Sequence, residues 1–331
     1  MNLDAVAKRA KVSTATVSRV LNNVGNVKNT TSVRVMKAVE ELNYHPNLHA
    51  RNLAGGRSNT IGMIVSNLEN PFFFDVFQAT EAYAHARNLE LLVANTGYDP
   101  DRLMNCVRLM IGRRVAGLAV IVSEMGPGLM AELSAAKIPA VFYDVGKAKS
   151  NISNIRVDYG RGIERVVSYL HSLGHRRLAL VSHHSSLGPI SARERAFRET
   201  AARFSPEVTW KAMADSDTME GGRAAARRIF GSGFQPTAIV CVNDFMAMGV
   251  LRELRDRGLR VPGDVSVTGF DNIKLSEYAS PALTTLHIAR DRIGEFVFRS
   301  LTSDSSTQGA IEEVIIDPEL VLRDSTGPAP R

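Results

Sequence analysis

Apolar and small residues at Leu3, Val6, Ala7 and Ala10 recur at a spacing that puts them on one face of a helix. Lys11, Val12 and Ser13 follow, too few for a loop with structure of its own. Val17, Val20 and Leu21 then form the inward stripe of a second helix that starts behind Thr14. Ser13 or Thr14 can cap it, because a side-chain oxygen there satisfies a free N–H of the first turn. A third stripe, Val35, Ala38, Val39 and Leu42, predicts a helix over roughly 31–43. Tyr44-His45-Pro46 ends it, since the residue before a proline disfavours the helical region. Two short helices joined by a tight turn make a helix-turn-helix, whose second helix enters the DNA major groove. Its outward residues, Ala15, Thr16, Ser18, Arg19 and Asn22, are small or polar enough to approach base edges. A plain pair of surface helices is the bland alternative.

The segment 47–54 is too short to be a stable helix alone. Gly55-Gly56-Arg57-Ser58-Asn59 reads as a flexible linker, which sets domains at 1–46, 47–59 and 60–331. From Thr60 the pattern changes to strand-like apolar runs at 61–65, 89–94, 116–122 and 140–143, then at 178–182, 208–212, 238–242 and 265–270. Amphipathic helical stretches lie between them, at 74–87, 102–113, 162–173, 193–203, 220–230 and 245–257. Such alternation predicts an α/β core of parallel sheets covered on both faces. Two successive sets imply two similar lobes, with a ligand outside the carboxyl ends of the strands.

Length and composition fit this division. A chain of 331 residues accommodates two or three units with cores of their own. The net charge of +6 becomes informative once located: residues 1–60 hold nine Lys/Arg against three acids, and the remainder holds 31 of each. The whole excess lies on the helix-turn-helix end, as expected of a module that neutralises phosphates. Cys106 and Cys241 lie far apart in apolar stretches and read as buried free thiols, with no metal-ligand or cofactor spacing. Asp4 and the lack of an apolar run near the start argue against a secretory signal, and no stretch approaches a membrane span, so the expected location is cytoplasmic.

The run AVAKRAKVSTATVSRVLN at 5–22 closely resembles the headpiece of LacI/GalR-family transcription regulators. The core is similar to that of the same family and of periplasmic sugar-binding proteins, through NPFF at 70–73, RRVAGL at 113–118, LGHRRLALV at 173–181, NDFMAMG at 243–249, DVSVTGFDN at 264–272 and PALTTLH at 281–287. The resemblance implies a three-helix DNA-binding headpiece and a two-lobed periplasmic-binding-protein-like core. Three strand crossings fall near 158–160, 286–289 and 317–320. Lobe one then comprises about 60–158 plus 289–317, and lobe two about 159–288 plus 318–331. It implies DNA contacts from Ser13, Thr14, Ala15, Thr16, Ser18, Arg19, Asn22 and Asn29, and from Arg51 and Leu53 in a hinge segment that turns helical in the operator's minor groove. It also implies a homodimer; no leucine heptad for tetramers follows the core.

In the same family the effector lies between the lobes. The matching positions are Phe72, Phe73, Ser123, Asp144, Arg193, Asn243 and Asp271. Carboxylates accept from neighbouring hydroxyls, an arginine donates a planar fork and an aromatic face packs on a ring, a set that suits a polyhydroxylated or heterocyclic ligand. The plainer alternatives are caps for Asp144 and Asp271, core packing for the two phenylalanines and a surface pair for Arg193. Leu187, Pro189, Ser216 and Ile288 depart from the purine-repressor branch and suggest a pocket less polar on one wall. The adjacent His183-His184-Ser185-Ser186 cannot form a catalytic triad within four consecutive residues, and no nucleophile elbow, phosphate loop or zinc motif occurs. The chain therefore reads as a ligand-responsive repressor of a catabolic operon, not an enzyme. A transport-type solute-binding protein is the alternative, which the fused headpiece opposes.

Overall fold

The chain divides into two units, Met1–Ser58 and Asn59–Arg331. The computed structural model describes residues 2–21, 25, 27–44, 58–122, 124–125, 128–144, 152–184, 188–302 and 312–330. In the first unit, α1 (Leu3–Ala10) is capped by Asn2, which accepts from the Ala5 N–H, and ends at Lys11 in a left-handed conformation. Helices α2 (Thr14–Leu21) and α3 (Asn29–Glu41) complete a small core of Val6, Ala7, Ala10, Val17, Val35 and Ala38. The third helix starts two residues before the apolar periodicity does, because the polar run Asn29-Thr30-Thr31 is already helical. Asn22, Arg51 and Leu53 lie outside the described residues, as does most of the hinge and linker.

In the second unit a six-stranded parallel sheet is built from β1 (Thr60–Val65), β2 (Glu90–Asn95), β3 (Leu118–Ile121), β4 (Ala140–Tyr143), β5 (Ile152–Val157) and β11 (Glu313–Ile316), in the order β11-β5-β4-β3-β1-β2. Helices α4 (Pro71–His85), α5 (Pro100–Gly112), α6 (Leu129–Ala136) and α12 (Arg290–Thr302) belong to this lobe. The first two begin two or three residues ahead of the amphipathic pattern. Each carries proline in its first turn behind an Asn70 or Asp99 cap, and proline loses nothing where the N–H is unpaired anyway.

The second sheet is also parallel, in the order β7-β6-β8-β9, from β6 (Arg177–His183), β7 (Thr209–Asp215), β8 (Ala238–Cys241) and β9 (Ser266–Thr268). Helices α7 (Tyr159–Ser172), α8 (Gly188–Arg203), α9 (Met219–Gly231), α10 (Asp244–Asp256) and α11 (Lys274–Tyr278) accompany it. Strands β10 (Thr285–His287) and β12 (Glu319–Val321) pair antiparallel as a separate ribbon. The chain thus passes between the lobes after β5, after β10 and between β11 and β12. Helix α7 holds all three passages together. Asp158 caps it, a Cβ on Gly162 would meet both Pro318 and Leu286, and Arg165 grips Asp317 with two nitrogens at 2.7 and 3.0 Å.

Helices α9 and α10 of lobe two cross at bare backbone. A Cβ on Gly249 of α10 would run into the Met219 carbonyl, and one on Gly222 of α9 would strike the Met246 carbonyl. At the start of α10, Asp244 is fully buried and ties three segments: its N–H donates to the Phe270 carbonyl, and its carboxylate accepts from the Ile273 N–H and the Thr285 hydroxyl. Burial raises this carboxyl to about 7, against the opposing pull of those hydrogen bonds. Cys241 is buried, whereas Cys106 on α5 is only half-buried against the lobe-one core; both are free thiols.

Gly249→Ala should destabilise the second unit by about 3 kcal/mol or more, since two backbones would have to separate. Gly231→Ala, where an added Cβ meets nothing within 4 Å, should be neutral or better. Denaturant midpoints of the two variants check this. For Asp244 the folded carboxyl titrates above its unfolded value. Its contribution is therefore complete at acid pH and is lost as pH rises from about 4 through about 7. Asp244→Asn should flatten that part of the stability profile, measured as unfolding free energy from pH 4 to 8; an unchanged slope would count against it.

Candidate functional sites: the second helix and the interlobe cleft

In the headpiece, Ser13 is the residue that caps α2. Its Oγ accepts from the Thr16 N–H at 3.2 Å and lies 2.9 Å from the Thr16 hydroxyl. Such a cap is worth about 1 kcal/mol and fixes where the second helix begins. With Val17 fully buried against α1 and α3, Thr14, Ala15 and Arg19 are exposed and Thr16 and Ser18 are half-buried. Asn29 stands exposed at the start of α3. No ion pair holds Arg19 among the described residues, whereas Arg9 pairs with Glu41. Two apolar side chains that the stripe does not account for, Val33 and Met36, project from α3.

The cleft site is built at the carboxyl ends of the strands. Arg193, on the second turn of α8, is buried with its guanidinium between two rings, 4.4 Å from the Tyr159 centroid and 4.2 Å from that of Phe270. A desolvated cation between aromatic faces gains about 2 kcal/mol. It donates to the Val242 carbonyl at 2.9 Å, and another of its nitrogens lies 3.8 Å from Asp271 Oδ1, too far for a hydrogen bond. Asp271 is buried, and its backbone sits at φ 104, a region an aspartate enters only at a cost. Burial pushes its carboxyl well above the ordinary range, with Arg193 pulling the other way.

Among the described residues, Arg193 Nε and Asp271 Oδ1 have no hydrogen-bond partner. A buried polar atom left unpaired costs about 1–3 kcal/mol, more when charged, and a donor and an acceptor side by side are a site for a ligand edge that accepts and donates.

The other matching positions that the structure describes carry structural contacts as well. Asp144, at φ 57, accepts from the Val157 N–H with both oxygens, at 3.1 and 3.3 Å, and so braces β4 on β5. Burial raises its carboxyl to about 6. Asn243 caps α10 through the Met246 N–H and donates to Asp217 at 2.6 Å. Phe72 and Phe73 are buried edge to face at 5.5 Å in the hydrophobic core, with Phe72 5.8 Å from Tyr143. Ser123 and Leu187 lie outside the described residues. Ile288 is completely buried in the core and Ser216 is exposed, its hydroxyl near that of Thr218.

Sequence reasoning passed over Tyr159, Phe270, Asp217 and Tyr98, and weighed His183 only as part of a catalytic run. Phe270 stands inside the GFDN stretch and Tyr159 beside the first crossing, both readable signals; Tyr98 and Asp217 become neighbours only through folding.

Comparison with known proteins bears on both sites. Residues 2–47 match the model of bacterial regulatory proteins of the lacI family, and residues 167–326 match a periplasmic binding protein-like domain. The HTH-type transcriptional repressor PurR of Vibrio vulnificus (strain CMCP6) is 36% identical over 326 residues, 97% of each chain. A lac repressor dimer bound to operator and the anti-inducer ONPF superposes with a TM-score of 0.87 at 28% identity over 99% of each chain. A LacI-family regulator from Silicibacter pomeroyi gives 0.84 at 25%, over 98% of this chain and 99% of that one. Among the described residues no helix is long and apolar enough to cross a membrane. A helix-turn-helix headpiece followed by a two-lobed α/β core, alike in sequence to repressors along nearly its whole length, places this chain in the LacI family of DNA-binding transcriptional repressors, not among enzymes.

Proposed function

We propose that this repressor binds a pseudo-palindromic operator as a homodimer and releases or tightens its hold when a small polar effector enters the cleft between its lobes. Thr14, Ala15 and Arg19 face the base edges, Thr16, Ser18, Asn22 and Asn29 position the helix, and Arg51 and Leu53 act from the hinge in the minor groove. The effector is a sugar-like metabolite or a related ring bearing adjacent donors and acceptors, and the genes controlled are those of its catabolism. The observation that carries the reading is the unpaired, buried couple of Arg193 Nε and Asp271 Oδ1. A hydroxyl on the ligand can donate to the carboxylate and accept from the guanidinium at once. The PurR name of the relatives favours a second reading of the same couple, a nucleobase edge. A transport role finds no support in a chain that carries a DNA-reading headpiece.

A thermal-shift screen of the full chain against sugars, sugar acids, polyols and nucleobases identifies the effector, because a ligand at a hundred times its Kd stabilises by about 2.7 kcal/mol. Asp271→Asn and Arg193→Met should each weaken the hit at least tenfold, with operator binding kept and its response to the hit lost. Undiminished affinity in both variants would move the site elsewhere. On DNA, Arg19→Ala should cost about 1–3 kcal/mol on a selected operator and little on random duplex, as for a bidentate contact to guanine. Equal losses on both would make Arg19 a phosphate contact only.

A further inference from the structure

Beside the Arg193 couple, lobe one reaches lobe two through the side chain of Tyr98. Tyr98 lies in the loop between β2 and α5, behind Gly97, with both residues in the left-handed region at φ 64 and 65. The loop is pinned on either side. The Thr96 N–H donates to the Val65 carbonyl at 2.9 Å, and Asp99 caps α5 through the Asp101 and Arg102 N–H groups. The Tyr98 hydroxyl donates to the Asp217 carboxylate of lobe two, and its ring leans on His183 at 5.9 Å. From the same side the Asn67 amide donates to the Asp217 carbonyl at 3.3 Å.

This contact and the Arg193 couple share one strand end. Val242 gives its carbonyl to Arg193, and the next residue, Asn243, gives its amide to the second oxygen of Asp217. The buried carboxylate of Asp217 is thus satisfied from both lobes, whereas Arg193 Nε and Asp271 Oδ1 are not. Among the described residues, polar chemistry is left unsatisfied at the Arg193 couple and is consumed at Asp217.

We propose that Tyr98 is the end wall of the effector cleft and sets ligand length, so that the site takes a single ring and rejects one extended toward Asp217. The inference rests on placing the effector between the lobes, as argued above. An extended ligand would have to break the Tyr98–Asp217 bond and meet a rigid loop, and a site whose buried polar groups lose their partners discriminates steeply. Burial and the neighbouring Asp217 hold the phenol far above its ordinary pKa, so it remains a donor at any working pH.

Tyr98→Gly removes the wall while suiting the left-handed backbone, and Tyr98→Phe keeps the wall but not the hydrogen bond. The full chain and both variants are titrated by thermal shift with paired probes, D-glucose and cellobiose, D-ribose and adenosine, adenine and adenosine. Wild type should respond to a single-ring member alone, Tyr98→Gly should bind the extended member at least tenfold more tightly than wild type does, and Tyr98→Phe, which keeps the ring but loses the hydrogen bond, should fall between them. Equal wild-type affinity for both members of a pair overturns the proposal. A second readout needs no ligand: carbethoxylation of His183 by diethyl pyrocarbonate, followed by mass spectrometry, should be at least tenfold faster in Tyr98→Gly and near the wild-type rate in Tyr98→Phe. Equal rates in wild type and Tyr98→Gly overturn it too. Tyr98-dependent shielding of His183 together with full affinity in Asp271→Asn would fault the placing of the effector and uphold the wall.

Discussion

Three consecutive residues following β8 hold the cleft in shape. The carbonyl of Val242 anchors Arg193, the amide of Asn243 anchors Asp217, and the carboxylate of Asp244 anchors the loop that carries Asp271. The end of a central parallel strand can gather loops from both sides of the sheet, because it is flanked on each side and its backbone is fixed by the sheet. Each anchor is a buried polar group satisfied by a specific partner, so losing one leaves the other exposed to the full cost of desolvation. Gly269 serves the same arrangement: a Cβ there would occupy the space of the Asp244 carboxylate.

The Asp271 loop is held from behind as well. Arg290, the first residue of α12 after the second passage between lobes, donates to the carbonyls of Asp271 and Asn272 and pairs at 3.4 Å with Asp75 on α4. One arginine therefore links the loop that carries Asp271 with the lobe-one helix α4, which holds Phe72 and Phe73 in its first turn. Holding an aspartate at φ 104 costs of order 1–3 kcal/mol, and the strain persists because these bonds over-determine the loop. On the proposed reading, a ligand that satisfied Asp271 would stabilise the loop and, through Arg290, bias how closely the lobes approach. That is a differential contact of the kind a regulatory ligand needs.

The headpiece obeys a separate economy. Six small buried side chains make up its core, and its fold depends on cap and turn geometry at Asn2, Lys11 and Ser13 as much as on burial. Its basic excess is independent of the neutral core unit, so phosphate attraction is concentrated in the headpiece.

Much of this was legible in the sequence because it is local. Helical stripes at Val6, Ala7, Ala10 and Val17, and apolar runs at 61–65 and 238–242, announce helices and buried strands by their own periodicity. The family resemblance pointed to Arg193 and Asp271. Strand β5 was missed because Ser153 and Asn154 interrupt its apolar run, and both are buried only once β4 and β11 flank it. Likewise, nothing in the neighbourhood of Asp144 or Asn243 says that their side chains are committed to Val157 and to Asp217. The pairing of Tyr98 with Asp217 spans 119 positions and two lobes, and no periodicity carries such a contact. The sequence by itself determined which segments become helix or buried strand, since hydrophobic spacing and capping act within a few residues. Only the tertiary structure decided which polar groups are consumed and which stay open to a ligand, because hydrogen-bond satisfaction is settled between distant segments meeting where water has been excluded.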